Sequence, residues 1–311
     1  MKLVLVTGGA GFIGQNLCRT LLSKDIKVIA IDNFITSNSK AVNELKKNRN
    51  FSFIKHDITK KLPKSLENKK IDVIFHLACP TGVDNLLRLG GEMLFTSAIG
   101  TKNVMELARK TKSKVVFTSS SEAYGNPEVF PQTEDYEGKV SPTGYRSTYE
   151  EGKRFGESVV MFYFRAFGVD ARVIRVFNTY GPGMSRSDAR VMPRFMNQCM
   201  KGENLTVEGK GTQTRTLCYV DDLVAGLIMV AQKGKKGEVY NLGNDNETKI
   251  IDLAKMVIKI TNKNLKIKFI ERPSHDHDRR LPNLSKMKKL GWTPKVNLEE
   301  GIRRTAQWYG F

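Results

Sequence analysis

The chain has 311 residues, 40% hydrophobic and 27% charged, the balance of a soluble globular protein large enough for two lobes. Four cysteines, Cys18, Cys79, Cys199 and Cys218, are scattered without ligand-type spacing; this argues against a disulfide framework or a zinc site and places the protein in the cytoplasm. The formal net charge of +19 comes from lysines spread over loops and helix faces, with no basic stripe interleaved with aromatics. We therefore expect no nucleic-acid partner and, with no apolar run of spanning length, no membrane partner.

The first apolar run, 2–7, reads as a strand and leads straight into Gly8-Gly9-Ala10-Gly11-Phe12-Ile13-Gly14, with a helix expected over 14–24. Glycines between a strand and a helix allow a tight turn and let backbone amides approach a pyrophosphate, which the helix N-terminus also favours. A second strand over 27–32 ends on Asp32, 18 residues after Gly14. A carboxylate there accepts the two ribose hydroxyls and repels a 2′-phosphate, and no Arg follows in the next residues, so NAD is expected over NADP. Strands over 51–56 and 73–78 bring Asp57-Ile58 and Leu77-Ala78 to the same end. The expected cofactor contacts are thus Gly8, Gly11, Phe12, Ile13, Gly14, Asp32, Asn33, Asp57, Ile58, Leu77 and Ala78, joined by Thr118, Tyr149 and Lys153 further along.

After a helix over 95–111, a fifth strand over 114–119 runs into Ser119-Ser120-Ser121-Glu122-Ala123-Tyr124-Gly125. Hydroxyls at a strand's carboxyl end reach a ligand crevice, and an uncompensated acid beside them is hard to explain as structure. The helix over 149–167 opens with Tyr149-Glu150-Glu151-Gly152-Lys153, which stacks a phenol and an ammonium on one face. A nearby cation favours the phenolate, so Tyr149 is expected to accept a proton below its free pKa of roughly 10. A sixth strand follows over 171–177.

Alternation of buried strands and helices argues for an α/β fold, a doubly wound parallel Rossmann sheet. We place this cofactor domain at 1–177. Residues 178–311 form a smaller C-terminal α/β substrate-binding lobe, with about 216–243 returning to the first domain. Helices are expected over 191–201, over 221–232 with Asp221 as cap, over 250–261 and over 298–308, with short strands and turns over 204–219. His275-Asp276-His277 puts two histidines on one loop without a third ligand, so no metal is expected.

In these motifs the chain resembles an extended short-chain dehydrogenase/reductase of the nucleotide-sugar-modifying kind. The matches run in order along nearly the whole length: the glycine turn, Asp32-Asn33-Phe34, His76-Leu77-Ala78, the serine stretch, Tyr149 to Lys153, and Arg175-Val176-Phe177-Asn178-Thr179-Tyr180-Gly181-Pro182. The nearest likeness is to the UDP-glucuronate decarboxylases, also through the segments around 128–136, 144–154 and 209–219 and Leu290-Gly291-Trp292-Thr293-Pro294. The resemblance implies that Tyr149, helped by Lys153, takes the proton of a sugar 4-hydroxyl while hydride passes to NAD. The 4-ketone then allows loss of the C6 carboxylate, and NADH returns its hydride. It also implies decarboxylation roles for Glu122 and Arg190, a hydroxyl near the reacting oxygen at Ser120 beside Ser121, and substrate contacts at Asn178, Arg190, Arg215 and Arg280. It implies a homodimer built on the helices over 95–111 and 149–167.

Two departures bear on the reaction. The segment Cys79-Pro80-Thr81-Gly82-Val83-Asp84-Asn85-Leu86-Leu87-Arg88 holds no Tyr where the decarboxylases carry a Pro- and Tyr-rich loop, and Ser97 stands where Asn is usual. A C4 dehydrogenase or epimerase of another nucleotide sugar, UDP- or GDP-linked, tolerates both changes. A non-catalytic Rossmann sensor or nucleic-acid-associated protein is a third reading, opposed by the intact Tyr149 and Lys153.

Overall fold

The apolar runs form strands because Val, Ile and Phe suit a pleat buried on both faces. In the computed structural model, which describes residues 1–273 and 276–311, seven such strands make one sheet. They are β1 (Leu3–Thr7), β2 (Lys27–Asp32), β3 (Phe51–Lys55), β4 (Val73–His76), β5 (Lys114–Ser120), β6 (Ala171–Val176) and β7 (Val239–Leu242). Their order is β7-β6-β5-β4-β1-β2-β3 and every pairing is parallel. The chain winds outward from β1 to one side and from β4 to the other. The switch between them leaves a crevice at the carboxyl ends.

Helices cover both faces. On one face, α1 (Phe12–Leu22) lies in a core with residues far down the chain, including Leu223, Leu227, Leu284, Met287 and Trp292. On the other, Val104, Met105, Val160 and Tyr163 pack against β4 and β5. They come from α3 (Thr101–Thr111) and α4 (Ser147–Phe167), which follow α2 (Gly90–Phe95). A third core, with Tyr180, Phe195, Leu253 and Ile302, belongs to the later part of the chain. The motif at 290–294 serves the fold. Trp292 Nε1 donates to the Asp222 carbonyl at 3.1 Å, pinning the C-terminal segment to α5 (Val220–Lys233).

Two expectations change in detail. The helix expected over 95–111 starts at Gly90 and contains one wide π turn, Thr96–Gly100. There α4 presses close. A Cβ on Gly156 would stand 2.7 Å from Phe117 and 3.2 Å from the Ser97 carbonyl. The second concerns Asp221, which is not a cap. The chain enters α5 directly from the strand Cys218–Tyr219, so Tyr219 takes that position and Asp221 lies in the first turn.

Candidate active site

The carboxyl ends of β1, β2, β4 and β5 open onto one cleft of about 1720 Å³, larger than a single small-molecule site needs. At one end the glycine turn is sterically determined. Gly8 has φ +71°, and a Cβ there would stand 2.8 Å from the Ala78 nitrogen; one on Gly14 would stand 2.1 Å from the Gly8 carbonyl oxygen. Helix α1 begins at Phe12 with no side chain capping its N-terminus, so its first amides are available to an anion.

The Asp32 carboxylate is oriented by the Ala10 and Phe34 N–H groups at 3.0 and 2.8 Å and by the Ser37 hydroxyl at 2.9 Å. Asn33, Asp57, Ile58, Leu77, Ala78 and Thr118 line the same cleft. One Asp57 oxygen is taken by Thr59, which donates both its N–H and its hydroxyl. The neighbouring His56, also on the wall, has a buried Nε2 with no hydrogen-bond partner among the described residues. An uncapped helix end, an acid at the second strand and an orphaned ring nitrogen form a donor and acceptor set that fits NAD.

At the other end, Lys153 is 3% exposed and donates to the Thr118 carbonyl at 2.9 Å. Its ammonium lies 5.8 Å from the centroid of the Tyr149 ring. Beneath it, His76 bridges Thr7 at 2.8 Å and Thr101 at 3.1 Å. Burial, and then Lys153, push this imidazole down to about 3, so it stays neutral.

Tyr149 departs from the expectation of a lowered pKa. Burial is the dominant influence and raises it above the ordinary 10; the Cys79 thiol and Glu122 act the same way. The Ser120 hydroxyl and the Arg190 guanidinium oppose them. Lys153 gives one of its three N–H groups to a backbone carbonyl. Of the three serines, Ser120 meets Tyr149. Ser119 donates to Glu157 at 2.5 Å, and Ser121 accepts from Arg280 at 3.4 Å.

Glu122 is the most constrained group on the wall. Arg280 forks onto its two oxygens at 2.5 and 2.8 Å, and Arg146 adds bonds at 2.7 and 3.3 Å. Burial pushes its carboxyl up, but Arg280 and Arg146 outweigh this and hold it well below 4.5. Arg190 pairs with Asp188, and with Asn178 it lines the cleft. Arg215 and Arg280 are not on its wall: Asp276 holds the first at 2.7 Å and Glu122 the second.

Sequence reasoning missed Arg146 and Glu150, although the spacing of Arg146, Tyr149 and Glu150 along one helix marks a shared turn. It also missed His56, which no local pattern flags. The Cys79–Arg88 stretch does form cleft wall. Arg88 there donates to Asn85 at 2.5 Å and sets a positive charge on the same short helix that Asp84 precedes. Ser97 is buried in the π turn, 3.6 Å from the Cys79 sulfur. Among the described residues, Glu122, Glu150 and His277 bring three possible ligand atoms within 4.8 Å; His275 lies outside the described residues.

Known proteins share this fold. The model of the NAD dependent epimerase/dehydratase family matches residues 4–243. The chain is 40% identical to UDP-glucuronic acid decarboxylase 6 of Arabidopsis thaliana over 96% of its own length and 86% of that protein. Against UDP-glucuronic acid decarboxylase 1 of Xenopus tropicalis it is also 40% identical, over 99% of this chain and 72% of that one. Among solved structures, a UDP-glucose 4-epimerase of Thermotoga maritima with UDP-glucose superposes with a TM-score of 0.90 at 29% identity, covering 99% and 98% of the two chains. A UDP-glucuronic acid 4-epimerase of Bacillus cereus, with UDP-glucuronic acid and NAD, gives 0.88 at 29% identity over 99% and 98%. With its sheet, its glycine turn and its Tyr149–Lys153 pair, the chain is an NAD-dependent enzyme of the NAD dependent epimerase/dehydratase family, within the extended short-chain dehydrogenase/reductases.

Proposed function

We propose that the protein decarboxylates UDP-glucuronate to UDP-xylose. The observation that carries this reading is the likeness to UDP-glucuronic acid decarboxylases along almost the entire chain, combined with a cleft in which Tyr149, Lys153, Ser120, Glu122 and Arg190 share one wall. NAD supplies a hydride acceptor, and then donor, at C4 of the sugar. Gly8, Gly11, Phe12, Ile13 and Gly14 hold its pyrophosphate, Asp32 and Asn33 its ribose, and Asp57 and Ile58 its adenine.

Tyr149 accepts the proton of the 4-hydroxyl, with Ser120 hydrogen-bonding the same oxygen. Oxidation at C4 places a ketone β to the C6 carboxylate, so the electrons released with CO2 are stabilised as an enolate; the enolate takes a proton at C5, and the C4 ketone is then reduced back to the alcohol, its oxygen regaining the proton from Tyr149. Glu122 stays ionised between its two guanidiniums, which suits it to orienting water or a hydroxyl rather than to giving up a proton. Arg190, beside Tyr149, sets a positive charge near the oxygen where negative charge develops. A diphosphate role for Arg215 and Arg280 requires Asp276 and Glu122 to release them.

The test is incubation with UDP-glucuronate. Release of CO2 with UDP-xylose supports the reading. A second reading, C4 epimerisation with the carboxylate retained, is favoured by the Tyr-free Cys79–Arg88 wall and by the likeness to the Bacillus cereus 4-epimerase. Its mark is a UDP-uronate product epimeric at C4 with no CO2.

The working form is a homodimer in the cytoplasm. Phe95, Phe155, Phe162 and Phe167, on α2 and α4, are each about half exposed or more, a cost that a second copy removes. No helix among the described residues is long and apolar enough to cross a membrane, and all four cysteines are free thiols. Light scattering at micromolar concentration reports the dimer, and a monomer there counts against it.

A further inference from the structure

His277 has a place in the fold that the proposed reaction does not use. Its side chain is 12% exposed, and its Nε2 lies 3.2 Å from Glu150 Oε1 and 4.0 Å from Glu122 Oε2. Glu150 follows Tyr149 directly, is buried, and has Arg146 as a second partner at 3.3 Å. A carboxylate brings no proton to that contact, so the imidazole nitrogen carries it. The segment bearing His277 is itself anchored. Asp276 is held by Arg215 and Arg272, and Arg280 forks onto Glu122.

A metal is a poor occupant of this cluster. The carboxylate oxygens already accept guanidinium N–H groups from Arg146 and Arg280, and a divalent ion would face both fixed positive charges. A histidine donor satisfies Glu150 without that conflict.

We propose that His277 is a positioning residue: it ties the C-terminal part of the chain to the first turn of α4 and so keeps the Tyr149 phenol in register with Ser120. The proposal rests on Tyr149 being the proton acceptor. The charged groups around the imidazole are Glu150 from α4 and Arg146 at its N-cap, Glu122 from the turn after β5, and Asp276, Asp278 and Arg280 from its own segment.

Two variants separate positioning from bulk structure. His277→Gln keeps an N–H donor; His277→Leu keeps volume only. In H277L, kcat drops about ten-fold, NAD affinity is unchanged, and amide exchange at 147–151 accelerates. H277Q, which keeps a donor for Glu150, retains most of kcat and of the amide protection. Wild-type kcat and exchange in H277L would overturn the proposal. So would equal losses in both variants with a lowered Tm, which mark a purely structural role. If the wild type leaves UDP-glucuronate untouched, the substrate reading fails, while the exchange pattern still decides the role of His277.

Discussion

The two ends of the cleft are built in different ways. The cofactor end is made of backbone: a glycine turn, an uncapped helix N-terminus and strand termini, with Asp32 oriented by N–H groups at 10 and 34. The substrate end is made of side chains in ion clusters drawn from across the chain, with Glu122 clamped by Arg146 and by Arg280, 158 residues away. The first is set by local sterics, so its failure modes are steric. The second depends on charge balance, so removing one member leaves a buried charge without its counterpart.

The contrast can be broken at several points. Tyr149→Phe removes the proton acceptor and lowers kcat by about a thousand-fold, with NAD still bound; retained turnover in a product assay would show that another group takes the proton. Glu122→Gln leaves two guanidiniums facing a neutral amide and costs about 3–5 kcal/mol of stability near pH 7. The sign of its pH dependence follows from the depressed carboxyl. Its folded value lies below 4.5, so its contribution is complete above that pH and is lost as pH falls through the folded value. The Tm gap between E122Q and the wild type therefore narrows on acidification below about 4.5, as thermal melts across pH will read.

At the cofactor end the effects are smaller. Gly14→Ala forces the Gly8 carbonyl aside, costs about 1–3 kcal/mol and weakens NAD, measurable by calorimetry of both folding and binding. Asp32→Ala leaves the turn intact and weakens NAD about ten-fold while narrowing its preference over NADP. Unchanged discrimination between the two nucleotides would shift the burden to other groups on that wall.

Much of the cofactor end was legible because its determinants are contiguous. Glycines at 8, 11 and 14, Asp32, and apolar runs of strand length each report on their own neighbourhood. Tyr149 and Lys153 were legible as one helix face, but not the balance of forces on the phenol. That balance depends on burial and on Cys79 and Glu122, opposed by Ser120 and Arg190. The seventh strand, Val239–Leu242, was not singled out as a strand, since four residues at a sheet edge carry little periodicity.

The sequence by itself determined the doubly wound sheet, the dinucleotide turn, the preference for NAD and the pairing of Tyr149 with Lys153 on one helix face. Each follows from residue type at short range: sterics at glycine, charge at a strand end, spacing on a helix. Only the tertiary structure decided which partners the charged groups take. Arg215 and Arg280, expected on a diphosphate, are held by Asp276 and Glu122. His277, a loop histidine in the sequence, meets the residue next to Tyr149. Ion pairing in a buried site is settled by which charges the fold brings within a few ångströms, and that information is spread over the whole chain.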